Sequence, residues 1–275
     1  AAKNITAITK ASPGVITSAG HGLSNGDEIF VSSVGGMAEL NTRNYRVANV
    51  STDTFTLTDL FGAAIDTTNF TTYTSGGTAE EVFNIATPYP EAVLADLRFV
   101  QSADTMFIVH PSHEPRKLTR TDHTAWAFST ITFVDGPYLD VNTTTTTLNP
   151  NADTGTGVAL VASTNLFAAT DVGRLVSLPG GNATITAFTD AQNVTVTIND
   201  TLSATTATTN WALGAFSNTT GFPSVVTFFE QRLIFGATTN EPQSLFMSKS
   251  GDFENFTAGT ADDSAIIFQI ASNRV

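Results

Sequence analysis

The chain is predicted to be all-β, with partial β-propeller blades alternating with two small β-barrel or sandwich modules. Three observations predict this: apolar and polar side chains alternate with a period of two, Thr, Val and Phe are abundant, and two distinct internal repeats run through the sequence.

The alternation is clearest at Asp27 to Val31, Tyr45 to Val50, Thr54 to Thr58, Thr184 to Phe188 and Val194 to Ile198. Each reads as a half-buried strand. Turn residues separate them: Ser24 to Gly26, Gly35-Gly36, Gly76-Gly77, Gly180-Gly181 and Thr189 to Asn193. Helix is expected only in short pieces, at Tyr89 to Arg98, with Pro90 in the first turn, and at Ala168 to Val172.

The first repeat relates Ile5 to Val82 with Val158 to Phe216. In each copy an apolar strand leads through a Gly turn into a strand (Glu28 to Val31; Arg174 to Leu178), then a hairpin with a polar tip (Arg46 to Leu57; Ala183 to Val196). Each ends in a Thr-rich aromatic segment, Thr67 to Phe70 and Thr208 to Trp211. The second repeat relates Leu97 to Phe128 with Val225 to Phe256. Its copies share a strand, a polar turn, an apolar strand, a Glu-Pro pair (Glu114-Pro115; Glu241-Pro242) and a closing aromatic pair (Trp126 and Phe128; Phe253 and Phe256). That succession is the pattern of a propeller blade. The expected division is a small module over 1–82, a blade segment over 83–150, a second small module over 151–216 and a blade segment over 217–275. Thr143 to Thr147 and Asn149 to Asp153 serve as linker. Two blades do not close a propeller, and the chain starts without Met and stops at Ser272 to Val275, so a piece of a longer protein is expected.

Composition excludes several functions. The 275 residues contain no Cys, which removes disulfides, thiolate metal sites and cysteine nucleophiles, and fits folding in the cytoplasm. A formal charge of −13 opposes binding to a phosphate backbone. No apolar run is long enough to span a bilayer, and Ala1 to Lys10 is no signal peptide, so membrane insertion is not expected.

Candidate chemistry is sparse, and no catalytic, cofactor-binding or metal residue is assigned. His110 and His113, with His123, Glu114 and Asp122 nearby, have metal-ligand chemistry, but they flank a proline in a predicted loop and read as ordinary loop polarity. Asp190, Asp262 and Asp263 lack calcium-loop spacing and read as turn carboxylates. Ser33 and Ser102 have no nucleophile elbow, and Gly20-His21-Gly22 reads as a hairpin turn rather than a nucleotide loop. Asn4, Asn69, Asn142, Asn193 and Asn255 begin Asn-x-Thr triplets, as chance supplies in a Thr-rich chain. Arg116, Lys117 and Arg120 form the one local basic patch, suited to DNA or to a salt bridge with a neighbouring subunit.

Leu97 to Pro111, Pro115 to Leu118, Phe133 to Tyr138, Pro223 to Phe235 and Ser248 to Phe256 resemble the blade motifs of the tail nozzle family, or tail tubular protein B, of short-tailed bacteriophages. Ile8 to Thr78 is similar to a small β-module found in phage structural proteins and in ubiquitin-activating enzymes, where it is the four-catalytic-cysteine-half domain fold. The nozzle resemblance implies a structural, non-enzymatic virion component without cofactors. Its partners would be copies of itself in a hexameric ring, other tail and adaptor proteins, and DNA passing through the lumen during ejection without specific binding. The alternative is a carbohydrate-binding or adhesin-like module that stacks sugars on Tyr45, Tyr73, Trp126 or Trp211.

Overall fold

A computed structural model describes residues 2–122 and 124–271. His123 and Ser272 to Val275 lie outside the described residues. The chain is nearly all-β, with 45% strand and 4% helix, and it divides into two compact units, Ala1–Ala86 and Thr87–Val275.

The first unit is one antiparallel sheet: β1 (Lys3–Asn4), β2 (Ala7–Ile8), β3 (Val15–Thr17), β4 (Glu28–Gly35), β5 (Arg43–Ala48), β6 (Thr54–Thr58) and β7 (Ser75–Glu81). Its order is β1-β7-β4-β5-β6-β3-β2, so the opening segment edges both sides. The Ile5 N–H donates to Gly77 and the next, of Thr6, donates to Thr17, which curls the sheet into a half-barrel. Alternation then sends Ile29, Val31, Val47, Phe55 and Leu57 into one core with Ile16 and Leu40. Gly76 and Gly77 were expected to form a turn, yet they lie inside β7. A Cβ on Gly77 would come within 2.8 Å of Val34 Cγ2, so glycine here permits close approach of strand and core.

The second unit holds three further sheets. The second sheet of the chain comprises β8 (Arg98–Ser102), β9 (Thr105–His110), β10 (His113–Asp122) and β11 (Ala125–Thr130), in the order β11-β10-β9-β8. The third comprises β12 (Leu148–Pro150), β13 (Val158–Ala162), β14 (Leu175–Leu178), β15 (Gly181–Asp190), β16 (Asn193–Ile198) and β17 (Ala212–Leu213), ordered β12-β13-β16-β15-β14-β17. The fourth is β18 (Val225–Phe229), β19 (Arg232–Gly236), β20 (Ser244–Met247) and β21 (Ile266–Gln269), in chain order.

Sequence repetition has a counterpart in topology. In the first sheet the run β4-β5-β6-β3 matches β14-β15-β16-β13 of the third, each a Greek-key order, with β7 beside β4 as β17 is beside β14. The second and fourth sheets are both four-stranded antiparallel meanders.

Several local expectations change. The helical segments are 3-10 turns, at Glu91–Asp96 and Ala169–Asp171, and Pro90 is the residue preceding the first of them. Glu114-Pro115 falls inside β10, where the missing Pro115 N–H coincides with a register shift between His113 and Arg116. The closing aromatics are not equivalent: Trp126 and Phe128 lie on β11, while Phe253 and Phe256 precede β21. The Thr143 to Thr147 segment is held in place rather than a free linker. The Asn142 side-chain amide donates to the carbonyls of Thr144, Thr146 and Thr209, and the Trp211 indole donates to Thr146.

Candidate functional site

Alternation along a strand assigns every residue of the two four-stranded sheets to a face. On the second sheet Val100, Phe107 and Val109 share one face, and Phe99, Gln101, Met106 and Ile108 share the other. On the fourth, Val226, Phe228, Leu233 and Phe235 lie on one face, with Val225, Thr227, Phe229 and Ile234 opposite.

One face from each sheet forms a seam. Phe107 and Val109 are buried in the same cluster as Val226, Leu233, Phe235 and Phe246. Phe107 meets Phe228 edge-on at 5.9 Å, and Phe235 stacks on Phe256 at 5.8 Å. Lys117, paired with Phe107 and so on the same face, forms an ion pair with Glu254 across the seam.

The opposite faces carry apolar residues into solvent. Phe99 is 64% exposed on the second sheet; on the fourth, Phe229 is 61% exposed, with Ile266 at 43% and Phe268 at 53% on the same face through their pairing with Met247 and Leu245. An edge strand apolar on both sides, as β21 is, exposes backbone groups and side chains to any pairing partner.

The predicted basic patch is divided by the same alternation. Lys117 turns into the seam, whereas Arg116 lies over Phe128 and Arg120 over Trp126, at 5.6 and 5.8 Å from the ring centroids. Arg120 also approaches Asp104 at 3.7 Å. Two of the three cations, Lys117 and Arg120, thus have carboxylate partners within the chain.

His110 and His113 do come together, with ring centroids 5.1 Å apart across the β9–β10 connection. Their surroundings are structural. His110 is buried, its Nδ1 accepts the Ser112 N–H at 3.1 Å, and burial, helped by His113, pushes its pKa below the ordinary value while Asp96 opposes. His113 lies edge-on to Tyr89. Among the described residues no group of three or more His, Cys, Asp and Glu could hold a metal ion. His21 is likewise structural: Nδ1 accepts the Leu23 N–H and the ring contacts Phe55 edge-on.

The acidic turn residues have structural partners, the Asp263 carboxylate pairing with Lys249 at 3.4 Å. Asp190 accepts the N–H groups of Gln192 and Asn193, which holds its carboxyl below the usual range. At Asp262 and Asp263 the carbonyls, together with those of Ser248 and Ser264, receive the buried Arg232 guanidinium. Nothing local in the sequence marks Arg232, because its partners are carbonyls 16 to 32 residues on.

A cleft of about 260 Å³ opens beside Glu114, Thr130, Phe133, Leu175 and Phe216. Glu114 is the one acidic residue among its lining residues, so paired-carboxylate glycoside hydrolysis has no second group there. Of the four aromatics considered for sugar stacking, Tyr45 and Trp211 are buried, Tyr73 packs on the first core, and Trp126 is 38% exposed.

Residues 11–82 match the family model of the ubiquitin-activating enzyme E1 FCCH domain. The matched segment lies within the first unit and covers roughly a quarter of the chain. It coincides with the segment, Ile8 to Thr78, similar to that domain's fold. The FCCH domain is a non-catalytic domain of an enzyme family. No curated protein matches the chain.

This match corrects the nozzle resemblance. The family found is a domain of ubiquitin-activating enzymes and not a phage tail nozzle family. The phage assignment and the virion location are withdrawn with it. The family resemblance misled because a meander with a polar hairpin turn and apolar flanks is dictated by sheet packing and is shared by unrelated β proteins.

Proposed function

We propose that this chain is a non-catalytic assembly protein in which the second and fourth sheets act as propeller-type blades, the small β-modules are attached to them, and the partner is another copy of the chain. The observation that carries this reading is the exposed apolar residues turned outward, Phe99 on one sheet and Phe229, Ile266 and Phe268 on the other, on either side of a seam already formed by the other two faces. Large exposed apolar patches on one unit mark interaction surfaces. Absence of a converging acid pair at the cleft and the non-catalytic nature of the matched domain favour assembly over chemistry.

Sedimentation velocity of the whole chain across a concentration series tests it. Concentration-dependent growth beyond the 28.9 kDa monomer supports assembly; a constant monomer sinks it. Glycan binding lost on Trp126→Ala would favour the carbohydrate-binding alternative instead.

A further inference from the structure

The two hairpins align in register without a gap. Each closes on a two-residue loop, Ala103-Asp104 between the paired Ser102 and Thr105, and Glu230-Gln231 between the paired Phe229 and Arg232. Matching the loops makes Phe99 equivalent to Val226, Gln101 to Phe228, Met106 to Leu233 and Ile108 to Phe235. It likewise makes Val100 equivalent to Thr227 and Phe107 to Ile234.

The consequence concerns which faces meet. The buried face of the second sheet (Val100, Phe107) is equivalent to the opposite face of the fourth, on which Thr227 is exposed and Ile234 buried. The outward face of the second (Phe99, Met106, Ile108), which also carries Arg116 and Arg120 and has Tyr89 packed on Phe128 at its far side, is equivalent to the buried face of the fourth (Val226, Leu233, Phe235). The sheets therefore pack with unlike faces together. A back-to-back pair would have used both like faces and left like faces outside. Unlike packing leaves one face of each kind open, and those two kinds are the ones that already fit each other in the seam.

We infer that the outward face of the fourth sheet, around Thr227, Phe229 and Phe268, binds the outward face of the second sheet, around Phe99, Gln101 and Ile108, of another copy, repeating the internal seam between chains. This rests on the assembly reading and specifies its geometry: the contact is heterologous, so copies add in one direction until a ring closes. Each copy supplies two sheets, and a propeller needs about four or more, so closure takes at least two copies. A four-stranded face is only about 19 Å by 17 Å, well below the ~800 Å² per partner of a standard interface. A single contact is accordingly weak, and closure provides the stability.

The test uses two variants of the whole chain, Phe229→Arg and Phe99→Arg, both at exposed positions, with circular dichroism and the denaturation midpoint confirming that each is folded. Sedimentation is measured for the wild type, for each variant and for a 1:1 mixture, up to about 1 mM, where contacts of this size register. The inference requires a self-associating wild type, each variant monomeric alone, and a mixture that forms a dimer and grows no further, because one intact face of each kind remains. A monomeric wild type overturns the assembly reading and this inference together. If the wild type assembles but the mixture stays monomeric, or if either variant assembles alone as well as the wild type does, assembly stands and the unlike-face contact is overturned.

Discussion

Phe107 of β9 and Phe228 of β18 meet edge to face across the seam, on strands 121 positions apart in sequence, with ring centroids 5.9 Å apart. The pair joins two meanders that each have only one face available to the core. Truncating Phe107 to Ala removes the ring from a buried site, and a loss of about 3–5 kcal/mol is expected. Chemical denaturation of the two proteins, monitored through the tryptophans of the second unit, checks it.

The pair Asp171–Arg174 is buried, with 2.9 Å between Oδ1 and a guanidinium nitrogen. Asp171 also accepts the Ala168 N–H, and Arg174 donates to Gly214, so both charges have further partners. Burial draws the Arg174 pKa downward, and the Asp171 carboxylate opposes it. Asp171→Leu alone and Arg174→Met alone should each cost about 3–5 kcal/mol by stranding the other charge. Replacing both should cost clearly less than the sum, as a double-mutant cycle by urea unfolding will read.

Protonation of His110 should weaken the fold. Its folded pKa lies below the ordinary 6.5 through burial, with His113 adding to the effect. Between that lowered value and about 6.5 the unfolded chain binds more protons, so stability rises with pH through this window, is complete above it, and falls as pH drops. Nδ1 accepts the Ser112 N–H, a bond that only the unprotonated nitrogen can make. The urea midpoint should therefore be lower at pH 5.5 than at pH 7.5, and His110→Asn should lose that part of the difference.

Tyr89 packs edge-on against Phe128 and His113, and its hydroxyl is buried without a hydrogen-bond partner among the described residues. Burial raises its pKa. Tyr89→Phe should be neutral or stabilising by up to about 1 kcal/mol, because it removes an unsatisfied group and keeps the ring. A lower thermal midpoint for this variant would mean that the hydroxyl is engaged.

Much of the fold is legible in the sequence because period-two alternation is written locally. Thr54 to Thr58 emerges as β6 with the expected bounds, and both repeats have topological counterparts. What misled was chemistry whose meaning depends on distant partners. Gly76-Gly77 carries a turn signature, but close approach to Ile5 and Val34 places it in a strand. The run from Arg116 to Arg120 looks basic as a string, yet alternation sends Lys117 to Glu254 and its neighbours to aromatic rings. Arg232 shows nothing locally of the carbonyls it gathers. The candidate interaction faces show in the sequence only as apolar residues at Phe99 and Ile266 to Ile270; which of those faces stays open follows from the seam, a contact no local pattern encodes.

Because the chain contains no Cys, single cysteines report contacts between copies without interference. Thr227→Cys and Gln101→Cys, both exposed, on the outward faces of the edge strands β18 and β8, should form a disulfide-linked dimer when mixed under mild oxidation. Neither should link efficiently with itself. Abundant Thr227–Thr227 or Gln101–Gln101 linkage, or no linkage in the mixture while copies assemble, would contradict head-to-tail stacking of the two four-stranded sheets.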